Sequence, residues 1–244
     1  MHRQLVVGST EKFYFQTVEE IFATPEVYYC EQPLFGSYFE PLNATSNIFT
    51  IILTLVFYNQ LKKAGKVDTR FYVFFFLLFT FGFGSAAWHT WPTFFTWVLD
   101  VLPVTLFLVY LAYFLFTRIL PTRQMGQVWF GVAMLWTVTM TFVFQQLFHL
   151  NGADTYVAEL SFIVALGIYA RMNNHPAARW VFALAGLFLL QLSFRQADRA
   201  FCDVLPTGTH FLWHVTGSFV VYLGLHIIYF SELAAYQPQS NKAA

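Results

Sequence analysis

His210 and His214 stand four residues apart in the stretch THFLWHV, residues 209–215, which is otherwise mostly apolar and aromatic. On a helix that spacing puts both imidazoles on one face, with Cβ atoms ~6 Å apart. Two neutral imidazole nitrogens so placed suit a single metal ion. His89, in GSAAWH, is a possible third ligand; Ser85 precedes it by one helical turn, and Asp100 follows in WVLDVLP. Three histidines leave the fourth position of a tetrahedral zinc open for water, as in catalytic rather than structural sites. Zinc would lower the pKa of that water from about 16 to about 7. Asp100 would take the remaining proton or orient the water. Ser85 would donate a hydrogen bond to a developing oxyanion. The chemistry that fits is hydrolysis of an amide or ester.

These residues can act together only if the chain brings them to one place. Of its 244 residues 57% are hydrophobic and 11% are charged, about half the charged share of a soluble domain. The formal net charge is zero, which gives nucleic acid nothing to bind. The chain reads as an all-α, polytopic membrane protein. A bilayer core takes ~20 apolar residues per helix, and seven stretches serve: 44–60, 71–89, 97–117, 128–148, 156–170, 180–198 and 210–230. Period-two alternation and internal repeats are absent, which argues against a β-barrel. Residues 1–40 hold no continuous apolar core, so the first span serves as the insertion signal. The domain reading is an N-terminal extramembrane segment over 1–43, a transmembrane catalytic domain over 44–230 and a short tail over 231–244.

Charge in the connections sets the expected orientation. Lys62, Lys63, Lys66 and Arg70 lie in the first connection, Arg118 and Arg123 in the third, and Arg171 and Arg179 in the fifth. The second and fourth carry no Lys or Arg. The sixth carries Arg199, with Arg195 in the turn before it. The C-terminus is therefore expected in the cytoplasm and the N-terminus outside, in periplasm or lumen. With that topology Ser85, His89, Asp100, His210 and His214 come from three helices to one depth near the outer leaflet.

Plainer roles exist for each residue. A membrane histidine can serve packing alone. Asp100 can pair with Arg195 or Arg199, or cap the start of the third span. Ser85 can simply admit a close helix approach, as Gly82 and Gly84 do. His149 and His175 fall in connections and read as solvated, while His226 lies three turns from His214, too far to share a metal. Glu159 reads as an interhelical hydrogen-bonding group, and Asp198 as that or as a support behind the metal ligands. Residues 11–22 read as a short interfacial or surface helix with Phe15, Val18 and Phe22 on one face.

Three blocks resemble the alkaline ceramidases, a branch of the seven-span hydrolase superfamily that includes the progestin and adipoQ receptors and the Per1-like proteins. They are YCEQPLFGSYFEPLNATSN, GFGSAAWHTWPTFFTWVLDVLP and FCDVLPTGTHFLWHVTGS. The resemblance covers residues 28–230. It implies zinc on His89, His210 and His214, with Asp100 and Ser85 at the metal-bound water. It also implies hydrolysis of the ceramide amide to a sphingoid base and a fatty acid. The aromatic-rich interior, with 31 Phe in the chain, suits long acyl chains. Relatives resemble one another in an N-terminal calcium site. Glu31, Glu40 and Asn43 match it, but Tyr28 and Pro33 stand where two oxygen ligands would be. Calcium takes six to eight oxygens, so Ca2+ is doubtful here, and the acidic residues are expected to support the outer face of the site or to be solvated. The resemblance further implies a Cys30–Cys202 disulfide, which an outer-side location permits; two reduced thiols are the alternative.

The reading is thus a zinc-dependent intramembrane amidase acting on a membrane lipid, with no protein partner inferred. The alternative is a receptor-like relative that binds a lipid or small ligand without efficient hydrolysis. A transporter would show repeated halves and broken helices. The membrane is expected to be a bacterial inner membrane or that of the endoplasmic reticulum or Golgi.

Overall fold

A computed structural model describes residues 29–32, 39–147, 150 and 152–235. The expected helix over 11–22 lies outside the described residues, as do Tyr28, Pro33 and His149. All regular structure among the described residues is helical: α1 Pro41–Ser46, α2 Ile48–Lys63, α3 Thr69–Trp88, α4 Phe94–Ile119, α5 Arg123–Leu147, α6 Asp154–Met172, α7 Ala178–Ala200, α8 His210–Tyr229 and α9 Glu232–Ala235. Seven stretches are long and apolar enough to cross a membrane, with α1 and α2 together forming the first. The expected spans are found, most of them longer by a few residues because capping turns extend past the apolar run.

Local signals explain the ends. Asp68 caps α3, its Oδ1 accepting from the Phe71 N–H at 2.9 Å. Thr93 caps α4, and its side chain and that of Thr96 satisfy each other's backbone N–H in a reciprocal capping box. Pro103 sits inside α4. Because proline has no N–H, the carbonyl four residues earlier, that of Leu99, is freed from the helical ladder.

Consecutive helices pack as neighbours from α2 to α8, and α8 closes onto α2. The short α1 lies against α3 and α8. Two chemistries share the interior. Toward one end it is aromatic and dry, with Phe57, Leu61, Phe71, Leu78 and Phe107 fully or almost fully buried. Toward the other it buries Glu31, Glu40, Asn43, Ser85, His89, Asp198, His210 and His214. Buried polar groups far from water must find partners, so that end demands an explanation.

Candidate metal centre

His210 is the first residue of α8, and His214 lies one turn on. His89 caps the C-terminus of α3. One ligand nitrogen from each lies within 4.8 Å of the others, and all three rings are buried. His89 Nε2 and His214 Nε2 stand 3.0 Å apart, near the ~3.3 Å that separates ligands in a tetrahedral zinc site with ~2.0 Å bonds. Among the described residues the Nδ1 atoms of His210 and His214 have no hydrogen-bond partner. A donor set of three convergent imidazoles fits zinc.

His89 is oriented from behind. Its Nδ1 meets Glu40 Oε2 at 2.6 Å, and Asn43 Nδ2 donates to the same oxygen at 2.9 Å. Oε2 thus acts as acceptor, so His89 Nδ1–H donates and Nε2 keeps its lone pair for a metal. This is the carboxylate–histidine arrangement that fixes tautomer and ring angle in metal sites. Burial, reinforced by the charge of Arg195, brings the His89 pKa down to about 3, so the ring is neutral. The contact is a hydrogen bond rather than an ion pair. Burial pushes the Glu40 carboxyl up to about 7 against the Asn43 hydrogen bond, and the charge of Asp198 adds to the rise.

Glu31 holds the chain that carries Glu40. Its two carboxylate oxygens accept the backbone N–H groups of Leu42 and Asn43 at 2.6 and 2.9 Å, satisfying orphan donors at the start of the first span. Both oxygens are thereby committed to backbone.

Asp198 performs the same service for α8. Its Oδ1 accepts from the N–H groups of Thr209 and His210 at 2.8 and 2.9 Å, and its Oδ2 from Cys30 N–H at 3.2 Å. Gly208, at φ +64°, lies so close to this carboxylate that any side chain there would collide with Asp198 Oδ1 and Cys30 Cβ. Cys30 and Cys202 form a disulfide with Cα atoms 5.2 Å apart. That bridge sets Tyr29 on the face of His210, with ring centroids 3.8 Å apart. Burial raises the Tyr29 phenol to about 12 against the pull of Arg195, so it stays protonated.

Asp100 is the seventh residue of α4, whose cap is Thr93, so it does not cap the helix start. It lines a cavity of about 400 Å3 together with His210, His214, Tyr29, Trp213 and Arg195. Arg195 lies over the Trp213 ring at 5.0 Å. Ser85 Oγ is fully buried, approaches Asp100 closely enough to interact, and makes no hydrogen bond of ordinary geometry among the described residues.

Glu159, expected to bond between helices, makes no such bond among the described residues; it lines the cavity where an apolar slit between α4, α6, α7 and α8 branches off. His175 is half-buried and accepts from Ala177 N–H at 3.1 Å rather than being solvated. His226 stacks on Phe230 and sits tilted against Trp180, away from the other histidines. Tyr29 and Tyr156, both in the cavity wall, escape sequence reasoning. For Tyr29 the usable signal was its position beside a bridged cysteine.

The protein-family model described as Ceramidase matches residues 23–244. No curated protein matches the chain.

Proposed function

The chain belongs to the ceramidase family and is a hydrolase of ceramide-type amide bonds, and we propose that it works as a zinc-dependent intramembrane amidase releasing a fatty acid and a sphingoid base. The observation that carries this reading is the meeting of three buried histidines from two helices beside the cavity that Asp100 lines. His89, His210 and His214 would hold the zinc. Zinc, when bound, supplies a Lewis acid that activates water at neutral pH.

The chain's own residues do the rest. Asp100 accepts the proton that water gives up and passes it to the leaving amine. Ser85 donates its hydroxyl to the oxygen of the tetrahedral intermediate. Glu40 and Asp198 keep His89 and His210 in position from outside. The apolar slit lined by Leu111, Leu115, Phe162 and Phe188 receives the acyl chain, which enters from the bilayer between helices. In this reading residues 1–43 lie outside the membrane, 44–230 form the catalytic domain, and 231–244 form a cytoplasmic tail. Charge in the connections supports that orientation. Calcium is assigned no role in it, because Tyr28 and Pro33 stand where relatives have two of their oxygen ligands and calcium takes six to eight.

The test is elemental analysis of detergent-purified protein alongside fatty-acid release from short-chain ceramides. About one zinc per chain with chelator-sensitive release is the expected result. Zinc without release from any N-acyl lipid would favour the receptor-like alternative. No zinc, and none taken up on addition, would sink the metal assignment.

A further inference from the structure

At the end of the bundle opposite the three histidines, α3, α4 and α5 frame a separate cavity of about 310 Å3. Three guanidinium groups line it: Arg70 from the first turn of α3, Arg118 from the last turn of α4, and Arg123 from the start of α5. Tyr110 and Tyr113 add phenol hydroxyls, while the Thr117 hydroxyl donates to the Tyr113 carbonyl at 2.8 Å. Lys62, Lys63 and Arg171 belong to the same end, but they are exposed and stand outside this lining. A topology signal needs only positive charge near the helix ends. It does not need three charges from three helices around one hollow.

Like charges brought together beside a low-dielectric bundle repel one another. Arg70 is met by Asp68, whose Oδ2 accepts from its Nε and Nη2 at 2.8 and 2.5 Å. Arg118 lies over the Phe114 ring at 5.4 Å. Tyr113 Oη accepts from Gln127 Nε2 at 3.1 Å. No carboxylate is among the described residues that line the cavity. Planar guanidinium forks with hydroxyl donors between them match the oxygens of a phosphate group. Basic pockets between membrane helices take lipid headgroups in this way. The helix faces beside the cavity are made for acyl chains: Tyr72, Val73 and Phe76 on α3, and Val128 and Trp129 on α5, are exposed.

We infer that this cavity holds the phosphate of an anionic phospholipid between Arg70, Arg118 and Arg123, with its chains along α3 and α5. The site is independent of the metal centre and of the reaction there. It ties the bundle to the leaflet opposite the histidines.

The experiment is native mass spectrometry of the full chain exposed to equal amounts of phosphatidylglycerol and phosphatidylcholine. Wild type is expected to retain one phosphatidylglycerol in preference to phosphatidylcholine. Preference should fall about fivefold for each guanidinium removed, in R123Q and further in R118Q/R123Q. K62Q/K63Q removes two charges from the same end outside the cavity and should keep the preference. Arg123 is exposed, so R123Q decides the matter even if the double variant does not fold. Equal retention by wild type and R123Q, or equal loss in K62Q/K63Q, would overturn the site. Inorganic phosphate forms a separate arm. If it stabilises lipid-stripped protein against heat as well as phosphatidylglycerol does, the ligand is a soluble phosphate and the lipid assignment fails.

Discussion

Gly84 packs on the backbone of Leu99 so tightly that a Cβ on Gly84 would stand 2.5 Å from the Leu99 carbonyl carbon, and closer still to its oxygen. That oxygen is the one Pro103 leaves without its helical N–H donor. Ser85 and Asp100 are the next residues along α3 and α4, so this one backbone contact sets the spacing of the proposed oxyanion donor and proton acceptor. Gly84→Ala must push the helices apart, since backbone atoms and not a flexible side chain stand in the way. Overpacking of this kind costs about 1–3 kcal/mol, and fatty-acid release should fall at least ~tenfold, since small misplacements of catalytic groups are expensive. A variant with wild-type turnover would show that the Ser85–Asp100 spacing is unimportant.

His210→Ala and Asp100→Asn should separate metal binding from turnover. The first removes a ligand, and zinc and activity should disappear together. The second keeps three imidazoles, so zinc should stay near one per chain while kcat falls ~10^2–10^4-fold. Elemental analysis and turnover on the same samples read both. Full activity in Asp100→Asn would remove the proton-accepting role. Loss of zinc in His226→Ala would contradict the placement of that ring against Trp180.

Glu40→Gln leaves the fold of the first span to Glu31 and alters only the group behind His89. An amide can present its N–H where the carboxylate presented an acceptor, and the tautomer preference is lost. Zinc affinity should drop ~10–100-fold, measured by competition with a chelator, with thermal stability little changed. Unaltered affinity would mean that Glu40 merely fills space.

Asp68 supplies a pH test away from the metal. Burial would raise its pKa, but hydrogen bonds from Arg70, Phe71 N–H and Tyr229 hold it below the usual carboxylate value. A group depressed in the folded state binds protons more readily when unfolded. Its stabilisation is therefore present above the unfolded pKa of about 4 and is lost as pH falls through the folded value. Asp68→Asn keeps a capping oxygen but removes the charge that meets Arg70, so stability at pH 7 should fall by about 0.5–1 kcal/mol, the usual worth of an exposed ion pair. The gap between wild type and variant should close as pH drops below about 4, which thermal unfolding at pH 7, 5 and 3 would follow. A gap constant across that range would mean the cap acts without its charge.

The seven spans and the pair His210 and His214 were legible because each announces itself locally, in an apolar run or an i,i+4 repeat, and His89 followed from the depth that the topology gives it. Asp198 was read as a support behind the ligands or an interhelical group, but its partners Cys30, Thr209 and His210 could not be named, because only the fold joins them. Glu31 looked like a possible support for the site or a solvated charge, and it proves to cap a helix that begins ten residues later. Asp100 was put at a helix start because the apolar run begins late. Thr93 caps the helix so that it begins at Phe94, and the two threonines interrupt the apolar run there, which reads as starting only at Trp97.

The two ligands on α8 give the site an order of manufacture. As the chain is synthesised, His89, Ser85 and Asp100 are inserted early, within the second and third spans, whereas His210 and His214 belong to the seventh. Cys30 waits 172 residues for its partner, which arrives only eight residues before His210. A nascent chain holding six spans therefore carries one histidine of the three. With the metal held as proposed, the amidase stays inert until its last helix is in place.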